Sequence, residues 1–251
     1  MRFIEPDWPA VEGVVALSSI RVGGGSTGRF SGLNLAQHVG DKVETVVRNR
    51  ELLQQDLPAG THIQWLSQVH GCEVVRADST IKSPVADACW TDVAGVACAV
   101  MTADCLPVLF CSERGASVAA AHAGWRGLAD GVLEACVGAM NADTCGIMAW
   151  LGPAIGPQAF EVGVEVREQF LCGSPPHTHK QVLQCFVEHS NKPGFYLADL
   201  YGLARIRLNA MGVSRIYGGG LCTYTDRERF YSYRRDGQTG RMATVITKSP
   251  E

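Results

Sequence analysis

The sequence predicts a single α+β domain in which mixed β-sheets are flanked by helices. Three observations carry that expectation. Short runs that are apolar on both faces recur mid-chain, at residues 95–101 (GVACAVM), 106–111 (LPVLFC) and 117–122 (SVAAAH), as strands covered on both sides require. Helical patterns are interspersed among such runs without strict βα alternation. The 251 residues, 46% hydrophobic and 19% charged, suffice for one large core. No linker, repeat or low-complexity stretch divides them, so residues 1–251 read as one domain.

Residues 13–21 read as a strand of alternating apolar positions, followed by a Gly-rich stretch from Gly23 to Gly32. Gly23-x-Gly25-x-x-Gly28 formally matches a dinucleotide fingerprint, but Arg29-Phe30-Ser31-Gly32 does not open the helix that fingerprint needs. A loop is expected instead. Residues 43–57 read as a helix with Val43, Val46, Val47, Leu53 and Leu57 on one face. Arg50 falls on that face and must find a buried partner or an anionic ligand, because an unpaired buried cation is costly. Strands are expected at 63–66 and 73–76, around Ser67-Gln68-Val69-His70-Gly71, which puts His70 at a strand end or turn. After Gly124-Trp125-Arg126-Gly127, the positions Leu128, Val132, Ala135, Cys136 and Ala139 mark a helix. Residues 148–151 form a buried strand ending in the stiff turn Gly152-Pro153-Ala154-Ile155-Gly156-Pro157. Helices at 164–171 and 198–211 and strands at 215–219 and 242–247 complete the reading. His177 and His179 fall in a Pro-flanked stretch (SPPHTHK) expected as a surface loop.

A net charge of −3 makes no electrostatic case for nucleic acid or an anionic membrane. No apolar run reaches the roughly eighteen residues of a membrane span, and the N-terminus lacks a signal-peptide core. A soluble, cytoplasmic protein is expected, as a monomer or small homo-oligomer. The ten cysteines are spread through the chain, several inside apolar runs, as buried packing thiols would be. No CxxC occurs, which disfavours zinc ribbons and thioredoxin chemistry.

Chemistry concentrates around one predicted hairpin. With Ser112-Glu113-Arg114-Gly115 as its turn, Cys105 stands directly opposite His122, and directly opposed residues share a face with Cβ atoms about 4.5–5.5 Å apart. A thiol and an imidazole so placed make a metal site, a nucleophile–base pair, or a buried Cys beside a satisfied His. The flanks, Thr102-Ala103-Asp104 and Gly124-Trp125-Arg126-Gly127, end both strands in polar or Gly-rich loops, where chemistry is usually carried.

Five ordered motifs extend this: Ser67-Gln68-Val69-His70-Gly71, Ala103-Asp104-Cys105-Leu106-Pro107, Ala121-His122-Ala123-Gly124-Trp125-Arg126-Gly127, Gly152-Pro153-Ala154-Ile155-Gly156 and Tyr231-Ser232-Tyr233-Arg234-Arg235-Asp236. Together they closely resemble the YfiH or laccase-domain family of purine nucleoside phosphorylases, from about Gly23 to Val245. The resemblance implies a layered α/β sandwich and a metal site of His70, Cys105 and His122. Two imidazoles and a thiolate suit Zn²⁺ and leave a fourth position open; Cu is also compatible. It further implies phosphorolysis of adenosine, inosine and 5′-methylthioadenosine, with adenosine deamination as a further activity. Phosphate would call on arginine, with Arg50 first, then Arg126 and Arg234. Proton transfer would fall to a carboxylate such as Asp104 or Asp87, either of which could instead orient a metal-bound His. Trp125, Phe230 and Tyr233 could stack on a base.

The family's other label, multicopper polyphenol oxidase, meets a count. Such an oxidase needs roughly ten histidines for its copper centres, and this chain has seven. Two other classes compete. One is a metal-free hydrolase with Cys105 as nucleophile and His122 as base, an amidase editing muramyl-peptide cell-wall precursors. The other is a non-enzymatic metal protein, for which Cys72 would be the nearest fourth ligand. His70 discriminates, since a dyad does not need it and a metal does.

Overall fold

The computed structural model describes residues 3–78 and 82–250. In chain order its elements are β1 (Phe3–Ile4), β2 (Val14–Ser19), α1 (Val43–Gln54), β3 (His62–Gln64), β4 (Val74–Arg76), β5 (Ala88–Thr91), β6 (Val96–Thr102), β7 (Leu106–Ser112), β8 (Val118–Ala123), α2 (Trp125–Asp130), α3 (Val132–Ala139) and β9 (Ile147–Leu151). There follow β10 (Glu161–Gly163), α4 (Val164–Cys172), α5 (His179–Gln184), β11 (Phe186–Glu188), β12 (Phe195–Ala198), α6 (Leu200–Ala210), β13 (Arg215–Gly218), α7 (Tyr233–Asp236) and β14 (Met242–Lys248).

Two mixed sheets face each other. One has the strand order β1-β2-β14-β6-β3 and the other β13-β9-β7-β8-β5-β4; β10-β12-β11 form a small antiparallel sheet. Between the large sheets, Cys98, Val100 and Ile246 pack on Leu109, Cys111, Val118, Ala120, Met148 and Trp150. Outside the first sheet, Ala97, Ala99, Met101, Ala243 and Val245 meet Leu33, Leu35 and Leu53. Outside the second, Val108, Phe110, Ala119, Ala121 and Ala149 meet Leu128, Leu133, Val137, Leu203 and Leu208 of the helices. The result is a helix–sheet–sheet–helix sandwich. It explains why β6, β7, β8 and β9 carry apolar side chains on both faces: every residue of these strands is buried, and each large aliphatic or aromatic side chain so buried contributes about 1.5–3 kcal/mol.

Several local expectations are corrected. The β7–β8 hairpin is set two residues from the expected register: Pro107, not Cys105, stands opposite His122. The four-residue turn is shifted by one residue, to 113–116, because Ser112 and Ser117 pair across it, with the Ser112 hydroxyl accepting from Ser117 N–H. A two-residue slip preserves the face of every side chain, so Cys105, just before β7, still points to the same side as His122. On α1 the buried face runs through Val46, Asn49 and Leu53, while Val43 and Val47 are exposed. Asn49 earns its buried place by donating to Ser26 Oγ and Asn34 O and accepting from Gly25 N–H. The helix after Gly127 breaks at Gly131, whose φ of 105° only glycine adopts freely. The SPPHTHK stretch is helical, a 3₁₀ turn running into α5, because Pro is well placed in a helix's first turn. Cys72 lies in the turn before β4 and packs against the helix layer.

Candidate metal centre

The centre lies at one open end of the space between the two sheets. Cys105, just before β7, and His122, in β8, face that space; His70 reaches it from the turn before β4. The ligating atoms of the three side chains lie within 4.8 Å of one another, with His70 Nε2 3.9 Å from Cys105 Sγ. The two imidazoles meet edge to face at 4.8 Å. His122 is buried, Cys105 half-buried and His70 exposed, so access is from the His70 side.

Asp87 holds both histidines. It stands opposite His122 where β5 begins, since Ala88 pairs with Ala121, and His122 Nδ1–H donates to its Oδ1 at 2.7 Å. That bond fixes the tautomer and leaves Nε2 available to a ligand. The N–H groups of Val69, His70 and Gly71 also donate to Asp87, at 3.1, 2.9 and 2.7 Å. His70 has φ 62°, a conformation costing about 1–2 kcal/mol for a residue with a Cβ. Three hydrogen bonds to a buried carboxylate, each contributing roughly 1.5–3 kcal/mol, offset that cost.

Burial alone would raise the Cys105 thiol and lower the His122 imidazole. Their mutual attraction, with hydrogen bonds to sulfur from both histidines and to Asp87 from His122, overrides it: Cys105 falls to about 6 and His122 rises to about 9. Without metal the pair is therefore thiolate and imidazolium at neutral pH. Burial would likewise raise Asp87, but its donors hold it below the usual carboxylate range. Gly124 completes the centre by its missing side chain: a Cβ there would stand 2.9 Å from His70 Cδ2 and 3.2 Å from Cys105 Sγ.

A cavity of about 500 Å³ opens over the three ligands. Cys105, Asp104, Arg126 and Arg234 line it, as do Trp125 and Tyr233. Asp87 lies behind His122, outside the lining. Arg50 sits behind Met101, its Nε–H donating to Leu35 O at 2.9 Å and its guanidinium 4.0 Å above the Trp65 ring. Phe230 is buried in the core. Asp104, at φ 97°, is pinned: Thr223 Oγ–H, Ser232 Oγ–H and Arg234 N–H donate to its carboxylate at 2.6, 3.0 and 2.7 Å.

Sequence reasoning missed Gln68, His38, Phe160 and Arg241 among the lining residues. Gln68 carries on the edge pairing of β6 where β3 has ended, accepting from Met101 N–H and donating to Met101 O. Its place in Ser67-Gln68-Val69-His70-Gly71 was the one available signal. Arg241 precedes β14 and His38 follows the Gly-rich stretch, neither within a motif.

Residues 15–249 match the family described as multi-copper polyphenol oxidoreductase laccase. The chain belongs to this family. It is 50% identical over 244 residues to purine nucleoside phosphorylase PA4543 of Pseudomonas aeruginosa, covering 97% of each chain. It is 49% identical over 246 residues to purine nucleoside phosphorylase YfiH of Escherichia coli, covering 98% of each. Among solved structures, protein NMB0706 of Neisseria meningitidis superposes with a TM-score of 0.92 at 48% identity over the whole of both chains. YlmD of Geobacillus stearothermophilus gives 0.91 at 32%, covering 100% of this chain and 97% of that one. The family's multi-copper description contrasts with the donor groups: among the described residues, His70, Cys105 and His122 form the one cluster of at least three metal-ligating side chains. Two imidazoles and a thiolate suit a single transition-metal ion. No helix is long and apolar enough to cross a membrane among the described residues.

Proposed function

We propose that the protein is a zinc-dependent purine nucleoside phosphorylase acting on adenosine, inosine and 5′-methylthioadenosine, with adenosine deamination as a second activity. The observation that carries the reading is the His70–Cys105–His122 cluster at the floor of a cavity lined by aromatic and arginine side chains. The relatives' name, purine nucleoside phosphorylase, supports nucleoside and phosphate as substrates. His70, Cys105 and His122 would hold the ion, and a zinc with an open position supplies a Lewis acid and an activated water. Zinc is preferred over copper because three N/S ligands and an open fourth position are the usual catalytic zinc arrangement.

The chain's own residues supply binding and order. Phosphorolysis breaks the C1′–N bond to the base and forms a C1′–O bond to phosphate, while the departing base takes up a proton. Trp125 and Tyr233 offer faces for a purine, and Arg126 and Arg234 offer cationic forks for phosphate; Arg50, held behind Met101 on Leu35 O and Trp65, stands outside the lining. Asp87 holds His122 and the His70 turn. Asp104 anchors the cavity wall, its oxygens occupied by three donors, and so is a weak candidate for moving a proton. Ten free thiols suit a reducing cytoplasm.

The thiolate–imidazolium character of Cys105 and His122 favours one alternative, a metal-free Cys–His amidase acting on muramyl peptides. Elemental analysis with an assay of inosine or adenosine plus phosphate separates the two. About one zinc per chain, with free base and ribose 1-phosphate formed, supports the metallophosphorylase. Inosine from adenosine reveals the deaminase arm. Metal-free protein that leaves nucleosides intact but cleaves a muramyl peptide overturns the proposal.

A further inference from the structure

One residue of the first sheet looks across the inter-sheet space at the metal ligands. Cys98 and Val100 of β6 point into that space. Side chains two apart on a strand share a face, so Thr102, the last residue of β6, points the same way. On the second sheet Val118 and Ala120 of β8 face inward, and His122 continues their series. The two strands are matched across the gap, with Cys98 Sγ 3.9 Å from Val118 O. Both run toward the end that holds the metal ligands, since β6 stops shortly before Cys105 and β8 stops just past His122. Strands of two packed sheets stay within about 30° of each other. Counting on equally along both from the Cys98–Val118 contact therefore brings Thr102 opposite His122, and both line the same cavity.

The Thr102 hydroxyl also differs from its peers in bonding. Buried hydroxyls are ordinarily hydrogen-bonded, and the others in the strands of the two large sheets comply. Ser18 pairs with Thr244, and Ser19 accepts from Ala243 N–H. Thr91, Ser112 and Thr247 donate to Ala77 O, Ser117 O and Val96 O. Thr102 is 2% exposed, yet among the described residues its hydroxyl makes no hydrogen bond. Its polar neighbours in the lining are already occupied. Gln68 exchanges two hydrogen bonds with the Met101 main chain, and Asp104 accepts three. A desolvated hydroxyl without a partner costs stability that a valine of the same shape would not. The hydroxyl is left for a ligand in the cavity.

We propose that the Thr102 hydroxyl is the hydrogen-bond donor to whatever occupies the open position of the metal centre, and that this occupant is a small anion such as hydroxide. Three N/S ligands from the protein leave that fourth position. With no acceptor of its own in the protein, Oγ–H is free to donate to an anionic atom held beside His122 and Cys105. Hydrogen bonds to charged atoms are the strong ones, so the donor both orients the anion and favours it over a neutral ligand. The inference rests on the metal reading of His70, Cys105 and His122, whichever nucleoside reaction the centre serves.

The test loads the full chain with cobalt(II), whose visible spectrum reports a ligand added at the open position, and titrates azide at a fixed neutral pH. Wild type is compared with Thr102→Val and Thr102→Ser. All three should bind about one cobalt per chain, with affinities within about threefold by chelator competition, because no ligand or ligand-orienting group has changed. Azide should bind Thr102→Val about tenfold or more weakly than wild type, while Thr102→Ser, which keeps the hydroxyl, should stay within about threefold. Tm of metal-free Thr102→Val should equal or exceed that of wild type, since an unpaired buried hydroxyl gives way to a methyl group. Should Thr102→Val fail to fold, Thr102→Ala removes the same hydroxyl and is read the same way on azide. A lower Tm with azide affinity unchanged marks a merely structural hydroxyl and overturns the proposal. Equal azide affinity in all three cobalt proteins, or a cobalt-loaded wild type that takes up no azide, also overturns it and leaves the metal centre standing. A wild type that binds no cobalt removes the metal reading, and the open position with it.

Discussion

Replacing Asp87 by Asn should loosen both histidines of the metal centre at once. The substitution conserves shape, so no cavity forms; only the charge and one acceptor change. Asp87 Oδ1 accepts from His70 N–H and His122 Nδ1–H, and Oδ2 accepts from Val69 N–H and Gly71 N–H. An asparagine keeps one oxygen and must turn its amide N–H₂ toward the other pair of donors. Two charge-assisted hydrogen bonds are lost whichever way it turns, at roughly 1.5–3 kcal/mol each. The combined loss of about 3–6 kcal/mol is a large fraction of a typical stability of about 5–15 kcal/mol. At about 2–4 °C per kcal/mol for a domain of this size, Tm of the metal-free protein should drop by roughly 6–24 °C. Zinc affinity should fall about tenfold to a hundredfold, the usual effect of removing a partner from a ligating histidine. Thermal melts of the metal-free protein and competition against a chelator of known affinity read the two effects separately. A variant that keeps Tm within 2 °C and zinc affinity within about twofold, inside the scatter of such measurements, would refute the role assigned to Asp87.

Other perturbations probe the same geometry. Gly124→Ala puts a Cβ 2.9 Å from His70 Cδ2 and 3.2 Å from Cys105 Sγ; overpacking of about 1–3 kcal/mol should appear as zinc stoichiometry well below one, and full loading would show that the ligands yield freely. Zinc binding should release about one proton at neutral pH, because His122 is protonated up to about 9 while Cys105 is already a thiolate above about 6. Affinity should therefore rise with pH up to about 9 and fall more steeply below about 6, where the thiol must also ionise; calorimetry in buffers of different ionisation enthalpy counts the proton. In the metal-free protein the depressed Cys105 pKa makes stability rise with pH between the folded value of about 6 and the ordinary 9.0, and the raised His122 pKa makes it fall between the ordinary 6.5 and about 9. The two slopes oppose each other over the shared window, where folded and unfolded pairs each hold one proton, so denaturant midpoints should change little between about 6.5 and 9. Phe110→Ala, at a fully buried position of β7, should cost about 3–5 kcal/mol in urea unfolding while leaving zinc stoichiometry intact.

How far the sequence could reach is set by the distance over which each signal acts. The strands of the inner layers were legible because burial on both faces writes itself into every residue of GVACAVM and LPVLFC, with no long-range information needed. The Cys105–His122 juxtaposition was legible for a related reason. Both residues sit at the ends of one hairpin, and a register error of two residues preserves the face, so a wrong turn still gave the right side. The outer helix α1 was read less well, since Val43 and Val47 scored as apolar while the buried face is completed by Asn49, a polar side chain whose partners lie 15 to 24 positions away. Asp87 shows the limit most clearly. Its four donors come from residues 69–71 and from residue 122, and only the pairing of β5 with β8, strands separated by two others in the chain, brings them together.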